Sequence, residues 1–212
     1  MVGLNLPASV LASLPPSPYP QTLLPLLLAL SASPYTPTPH LQALTKPLCS
    51  LCFLLPAPNP ATALSFLGDA LLIATPADST RFKLGMLSFA GAHIAYTARF
   101  LTSSNAAVDW RVFGAVVAAV GVGHGALEKW GLKEVGEMKG LVRAYAGVIA
   151  AMVGVASGTG GGARVLGAWA FLLSDVCVAW DCFGGGGERG RRAVRVGGWW
   201  LYFWAQMVLG TA

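Results

Sequence analysis

The stretch ARVLGAWAFLLSDVCVAWDC, residues 163–182, decides the class of fold. Away from its ends it carries a single carboxylate, Asp175, and its length suits a helix that crosses the hydrocarbon of a bilayer, which needs about 20 mostly apolar residues. The rest of the chain has the same character, since 55% of its 212 residues are hydrophobic and 11% are charged. A soluble domain carries about 25% charged residues. The composition therefore predicts a membrane protein.

Similar apolar stretches recur along the chain. They lie at roughly 19–33, 47–58, 61–75, 83–101, 112–127, 141–157, 163–182 and 196–210. The sequence thus predicts an all-α, polytopic transmembrane helix bundle of about eight spans. We divide the chain into a proline-rich N-terminal segment, 1–18, and a single transmembrane domain, 19–212. Because no Lys or Arg precedes Lys46, the first apolar stretch lacks the basic start of a signal peptide and is expected to remain as a helix.

Prolines and glycines mark the predicted links between spans. Pro47 and Pro56 bracket the second span, which places Lys46 at the membrane boundary before it. Two glycine-rich runs, GTGGGAR (158–164) and GGGGERGRR (184–192), are predicted to be flexible links. Neither run has Lys-Ser or Lys-Thr after its glycines or a strand before them, so neither matches a phosphate-binding loop. The second run is basic, which favours attraction to anionic lipid.

The basic residues fall unequally on the two sides that eight spans create. Ten lie after spans one, three, five and seven: Lys46, Arg81, Lys83, Lys129, Lys133, Lys139, Arg189, Arg191, Arg192 and Arg195. Three lie on the opposite side: Arg99, Arg111 and Arg164. Because cytoplasmic loops collect Lys and Arg, this asymmetry supports eight spans and predicts that both termini face away from the cytoplasm. We expect an integral, multi-pass protein of the endoplasmic reticulum or another endomembrane.

The four cysteines are Cys49, Cys52, Cys177 and Cys182. Cys49 and Cys52 form a CxxC, but no second pair with ligand spacing accompanies it. A cysteine also packs well as a small apolar residue. We therefore expect these side chains to pack in the bundle, without a metal or a disulfide.

Ionisable residues inside the predicted spans are few, and each costs free energy unless it faces protein or water. Asp69, in FLGDALLIA (66–74), lies about 14 Å along the third span, Asp175 about 18 Å along the seventh, and His93 about 12 Å from the end of the fourth. These helices can therefore bring the three groups to a similar depth. Hydrogen bonds that merely tie helices together would explain one such residue, but three at one depth favour a functional site.

Six short motifs occur in order between Lys46 and Gln206. They are KPL (46–48), GD (68–69), FKLGMLSFAGAHIAY (82–96), Tyr145, GAWAFLLSD (167–175) and YFWAQ (202–206). Each is short, but their order and their positions on successive predicted spans are specific when taken together. On these motifs the sequence resembles the YhhN family, the membrane proteins that include the lysoplasmalogenases. It departs from the family pattern in the proline-rich first 40 residues and in the glycine-rich run before span eight.

The resemblance implies an ether hydrolase that cleaves the vinyl ether bond of a lysoplasmalogen. The products would be a fatty aldehyde and glycerophosphoethanolamine or glycerophosphocholine. A vinyl ether reacts with acid: protonation of its β-carbon gives an oxocarbenium ion, water adds, and the hemiacetal collapses. Such chemistry requires a carboxylic acid that keeps its proton near neutral pH and a second group that stabilises the cation or orients water. Two buried aspartates meet that requirement.

The expected catalytic pair is Asp69 and Asp175, with the roles of the two left open. Residues expected to orient the substrate or water are His93, Tyr96, Lys46, Tyr202 and Gln206. Residues three or four apart share a helix face, which pairs His93 with Tyr96 and Tyr202 with Gln206. Within this set, Lys46 would reach the head-group phosphate. The expected partners are a lysophospholipid substrate and the lipid bilayer, not nucleic acid, and no cofactor is expected.

Three alternatives remain open at the level of sequence. A proton-coupled carrier also places Asp and His in mid-membrane, although the chain has no evident internal repeat. A non-catalytic lipid-binding protein would keep the same fold. A zinc-dependent lipid hydrolase would use Asp69, His93 and Asp175 as ligands, but one histidine without a second favours the aspartate pair. The head group, the chain length and the oligomeric state are not determined by these patterns.

Overall fold

The computed structural model describes residues 19–36, 39–103, 107–133, 135–185 and 187–211. Within these ranges it has eight α-helices, two short 3₁₀-helices, one π-helical turn and no strand. In chain order the α-helices are α1 Tyr19–Ala32, α2 Pro39–Leu54, α3 Pro60–Leu71, α4 Thr80–Ser103, α5 Trp110–Ala126, α6 Lys139–Thr159, α7 Gly162–Phe183 and α8 Glu188–Thr211. The all-α prediction is thereby confirmed. The N-terminal segment 1–18 lies outside the described residues, and its division from the rest stays a prediction.

Among the described residues, three helical stretches are both long and apolar enough to cross a membrane. They are Trp110–Gly131, Gly136–Thr159 and Gly162–Phe183. The first of these continues α5 through a π-helical turn, Leu127–Gly131, and no described residue of α5 is buried. A helix that is apolar all round and unburied by protein is suited to contact with lipid. The fold is therefore a transmembrane helix bundle, and the crossing of the membrane by all eight helices stays a prediction.

The second helix begins earlier than the sequence predicted. α2 starts at Pro39 and continues through Pro47, where the predicted span began. A proline fits the first helical turn because the N–H that it lacks would be unpaired there anyway, which accounts for Pro39. At Pro47 the helix continues despite one missing backbone hydrogen bond. Lys46 therefore lies inside the helix with only 6% of its surface exposed, and not at its boundary.

The glycine-rich links are also shorter than predicted. The connection between α6 and α7 consists of Gly160 and Gly161, with φ angles of 70° and 89° that glycine adopts without strain. α8 begins at Glu188, within the second glycine-rich run. An acidic side chain is favourable at a helix N-terminus, and Glu188 also pairs with Arg191 at 3.3 Å and with Arg192 at 3.0 Å. These local interactions extend the helix into a stretch that composition alone marked as flexible.

Successive helices alternate in direction, so their connections gather at two ends of the bundle. At one end the Lys133 amide donates to the Phe183 carbonyl at 2.8 Å. At the other end the Asp109 amide donates to the Gly158 carbonyl at 2.9 Å. The basic connections after α3, α5 and α7 share the first end, since residues 74–77 also line one groove with Asp181 and Arg195. We call it the basic end. Its orientation toward the cytoplasm stays a prediction.

The core forms around α8, which packs against α1, α2, α3 and α7. α6 holds the other half together through contacts with α4, α5 and α7. Cys49 and Cys52 of α2 lie in the main hydrophobic core as free thiols. Because α8 and α6 are each surrounded by other helices, the polar side chains on their inward faces meet those of α2, α3, α4 and α7.

Candidate active site

Asp69 on α3 is the centre of a first polar cluster, with 2% of its surface exposed. Lys46 Nζ lies 3.2 Å from Asp69 Oδ1. The Ser50 and Tyr202 hydroxyls donate to Asp69 Oδ2 at 2.7 and 2.6 Å. Lys46 and Ser50 are four residues apart and so share one face of α2. The carboxylate therefore has one cation and two hydroxyl donors, which compensate for its removal from water.

Asp175 on α7 is the centre of a second cluster. The Tyr145 hydroxyl on α6 donates to Asp175 Oδ2 at 2.7 Å. His93 Nε2 on α4 lies 3.2 Å from the same oxygen and 2.9 Å from the Tyr145 oxygen. The Asp175 side chain is 18% exposed, whereas that of His93 is fully buried. Because both contacts use Oδ2, Oδ1 is the oxygen that can meet a ligand.

Both clusters face one cavity inside the bundle. Its volume is about 100 Å³, and α2, α3, α4, α6, α7 and α8 all contribute to its wall. The polar side chains in the wall are Lys46, Asp69, Tyr145, Ser174, Asp175 and Tyr202. Aromatic and aliphatic side chains, such as Phe82, Phe89 and Trp199, cover the rest. Two carboxyl groups thus share one small and mostly apolar chamber.

Aromatic rings hold the two clusters at a fixed separation. The Phe171 ring lies 4.6 Å from the His93 ring and 5.4 Å from the Tyr202 ring, both edge to face. Phe89 packs against the same Tyr202 ring at 5.8 Å. Edge-to-face contacts of this kind favour one ring orientation over others. The rings that carry the hydrogen-bonding atoms of both clusters are therefore held in place by the same core.

Tyr96 and Gln206, which were expected to orient the substrate, lie in a separate place. The Tyr96 hydroxyl donates to Gln206 Oε1 at 2.7 Å, and Gln206 Nε2 donates to Ser65 Oγ at 2.7 Å. All three residues are 0% exposed, and the cavity wall among the described residues does not include them. Gln206 is four residues beyond Tyr202, about 6 Å farther along α8, which places it one turn past the cavity. This third cluster ties α3, α4 and α8 together.

The structure adds Ser50 and Tyr145 to the residues that the sequence singled out for the site. Tyr145 belonged to the ordered motifs, but nothing in its surroundings on α6 assigned it a partner. Ser50 carried a usable signal, because it stands four residues after Lys46 on the same helix face. Both residues contribute a hydroxyl that donates to one of the two aspartates.

The alternative zinc ligands are divided between the two clusters. Asp69 contacts Lys46, whereas His93 contacts Asp175. Among the residues that the structure describes, no three His, Cys, Asp or Glu side chains gather in a way that could hold a metal ion.

A wider groove leads from the cavity toward the basic end. Its volume is about 410 Å³, and it shares Lys46, Phe82 and Trp199 with the cavity wall. It continues to Asp181 and Arg195, whose side chains pair at 2.7 and 3.0 Å. Lys46 therefore stands at the junction between the buried cavity and a polar groove.

Comparison with known protein families matches the chain to the YhhN family over residues 21–212. No curated protein and no solved structure matches it. The matched region runs from the first turn of α1 to the end of the chain, so both aspartate clusters and the cavity lie within it. The match covers far more than half of the chain, and the protein therefore belongs to the YhhN family.

Proposed function

We propose that the protein is a membrane lipid hydrolase that cleaves the vinyl ether bond of lysoplasmalogens by acid catalysis. The observation that carries this proposal is that Asp69 and Asp175 line one buried, mostly apolar cavity. Membership of a family that includes the lysoplasmalogenases is consistent with it. The products are a fatty aldehyde and a glycerophospho-base.

Asp175 is the proposed general acid. Tyr145 and His93 hold its Oδ2, so a proton on Oδ1 faces the cavity. That proton passes to the β-carbon of the vinyl ether, and positive charge develops over the ether oxygen and the α-carbon. A positioned acid in surroundings of low dielectric is suited to this step, because its electrostatic effect on the transition state is larger than in water.

Asp69 has the second role. Three donors occupy its two oxygens, so it serves as a fixed acceptor that orients Lys46 and Tyr202 at the cavity wall. Lys46 has further N–H donors available for an oxygen of the head group. The Tyr202 oxygen is placed to accept a hydrogen bond from water in the cavity. Asp69 therefore acts on the reaction through the groups that it positions.

Water completes the reaction. It adds to the α-carbon of the oxocarbenium ion and gives one proton back to Asp175, which forms a hemiacetal and restores the acid. The hemiacetal then loses its hydroxyl proton while the glycerol oxygen gains one, and the bond between carbon and that oxygen breaks. The polar groove beyond Lys46 is the proposed location of the head group during these steps.

Release of fatty aldehyde from a lysoplasmalogen in detergent micelles tests the proposal. We expect Asp175→Asn to lower turnover at least about 100-fold at equal amounts of folded protein, because a general acid contributes about 100- to 10,000-fold. Asp69→Asn should also lower turnover, because Lys46 and Tyr202 lose the carboxylate that orients them. The matched control is Asp109→Asn at the other end of the bundle. Asp109 Oδ1 accepts from the Arg111 and Val112 amides at 2.9 and 3.2 Å, and an asparagine can cap the helix equally well.

The control is expected to keep wild-type turnover. Turnover in Asp69→Asn or Asp175→Asn at the level of the control would overturn the aspartate mechanism. If wild-type protein releases no aldehyde from ethanolamine or choline substrates, the vinyl ether hydrolase itself is excluded for those lipids. Binding and liposome flux measurements would then separate the lipid-binding and carrier alternatives.

A further inference from the structure

A second cavity adjoins the candidate site on the side of α5. Its volume is about 530 Å³, and it lies between α5 and α7 with α6 as its floor. Pockets that enclose small ligands have volumes of about 300–1,000 Å³. The two cavities share Val142, Tyr145, Asp175 and Ala179 in their walls. The proposed acid therefore stands where the two spaces meet.

The wall of this second cavity is mostly aliphatic. Its main apolar contributors are Ala119, Val120, Gly123, Ile149, Leu172 and Val176. Its polar groups lie mainly at the Tyr145 and Asp175 end; His124 also lines it, and its Nε2 has no hydrogen-bond partner in the described chain. Such a surface attracts hydrocarbon and offers little to a charged group.

The position of α5 leaves this cavity accessible from the bilayer. α5 packs against α6, and none of its described residues is buried. The lining residues of α5 and of the π-helical turn that continues it run from Ala119 to Leu127, a distance of about 12 Å along the helix. A lipid chain can thus move sideways from the membrane into the space between α5 and α7.

We propose that this cavity, which we call the chain cleft, binds the single hydrocarbon chain of a lysolipid with its first carbons at Asp175. The inference rests on the proposed function, because the vinyl ether bond stands at the start of the chain. A chain in the cleft places its β-carbon beside the acid, and the glycerol oxygen then points into the first cavity toward Lys46. The bound lipid would lie across the bundle, with its two ends in two chemically different spaces.

The same arrangement selects lipids with one chain. The cleft is the apolar space at Asp175. The first cavity adjoins instead the groove at Lys46, whose wall carries Gln42, Asp181 and Arg195 among apolar side chains. A second acyl chain would have to lie among these polar groups and separate them from water, which costs free energy. The cleft therefore accounts for a preference for lysolipids over diacyl lipids.

Two glycines of α5 offer a matched pair of variants. A Cβ atom added at Gly123 or at Gly121 would meet no atom within 4 Å, so both positions have open space beside the backbone. Both glycines are exposed, but Gly123 lines the chain cleft and Gly121 does not. We expect Gly123→Leu to raise KM for a long-chain lysoplasmalogen about tenfold, because apolar pockets discriminate by about this factor per methylene. In Gly123→Leu, KM for a short-chain substrate should change little. Gly121→Leu should match wild type with both substrates.

A measurement independent of turnover uses a saturated 1-alkyl lysophospholipid with a diazirine at the end of its chain. This probe has no vinyl ether, so binding is read as crosslinked peptides after irradiation. We expect adducts on the cleft faces of α5 and α7 in wild type and Gly121→Leu, and their loss in Gly123→Leu. An excess of unlabelled lysolipid should compete, and an excess of diacyl phospholipid should not.

The outcomes separate the two proposals. Adducts in the cleft without aldehyde release from vinyl ether substrates would support the chain cleft and reject the hydrolase. Aldehyde release with adducts outside the cleft, or with none, would reject the chain cleft alone. Equal competition by diacyl phospholipid, or equal behaviour of Gly123→Leu and Gly121→Leu, would also overturn the inference.

Discussion

Lys46 on α2 and Asp69 on α3 form a buried ion pair in which Nζ lies 3.2 Å from Oδ1 and the side chains are 8% and 2% exposed. Each charge compensates for the removal of the other from water, so either one alone would be costly in this position. The same two side chains line the candidate catalytic cavity. The pair therefore contributes both to the packing of α2 on α3 and to the polarity of the site.

Loss of one partner of this pair should lower the stability of the folded protein. We expect Lys46→Met to lower the free energy of unfolding by about 3–5 kcal/mol, because it leaves a buried carboxylate without a counter-ion. Adding Asp69→Asn should recover much of that loss, since the amide is neutral and its oxygen still accepts from Ser50 and Tyr202. Thermal unfolding in detergent measures both changes in stability. Aldehyde release should stay low in the double variant. A double variant no more stable than Lys46→Met would show that the charges are not coupled.

Two tyrosines distinguish positioning of the acid from structural support. Tyr145→Phe removes the hydroxyl that holds Asp175, and we expect kcat to fall about 10- to 100-fold, the effect of a misplaced catalytic group. Tyr96→Phe makes the same chemical change in the cluster away from the cavity. It leaves Gln206 Oε1 without its donor, so we expect a loss of stability of about 1–3 kcal/mol with nearly unchanged kcat. Equal losses of kcat would contradict the division into separate clusters.

Alanine substitutions at two adjacent glycines of α8 should have opposite effects on stability. A Cβ atom at Gly198 would lie 2.8 Å from the Cys177 Cβ of α7, whereas one at Gly197 would meet no atom within 4 Å. We expect Gly198→Ala to cost about 1–3 kcal/mol by forcing α7 and α8 apart. Gly197→Ala should be neutral or stabilise by up to about 1 kcal/mol through helix propensity. Thermal unfolding compares the two, and equal midpoints would rule out this close contact.

The orientation in the membrane can be tested by cysteine labelling. Lys83 at the basic end and Arg111 at the opposite end are both exposed. In sealed vesicles with the cytoplasmic side outward, an impermeant thiol reagent should label Lys83→Cys above the wild-type background and leave Arg111→Cys unlabelled. The reverse pattern would invert the orientation. Labelling of both from one side would contradict the arrangement of the two ends.

Much of the helical architecture could be predicted from apolar stretches. In a bilayer the backbone must satisfy its own hydrogen bonds, so a long apolar run can hardly be anything but a helix. The predicted helix boundaries were less accurate where they were drawn from a single proline or from a run of glycines. Pro47 stands inside α2, and Glu188 starts α8 within a run that looked flexible. At these two places the packing and the ion pairs of the neighbouring residues outweigh the proline and the glycines.

The sequence by itself determined how far along their helices the key groups lie, because that distance follows from a fixed rise per residue. It thus predicted a similar depth for Asp69, His93 and Asp175. It could not determine their partners, since these depend on how far each helix is turned about its own axis. Asp69 meets Tyr202 from 133 positions away, whereas Gln206, one turn farther on, faces Tyr96 and Ser65. Packing between helices sets those rotations, and only the tertiary structure contains that information.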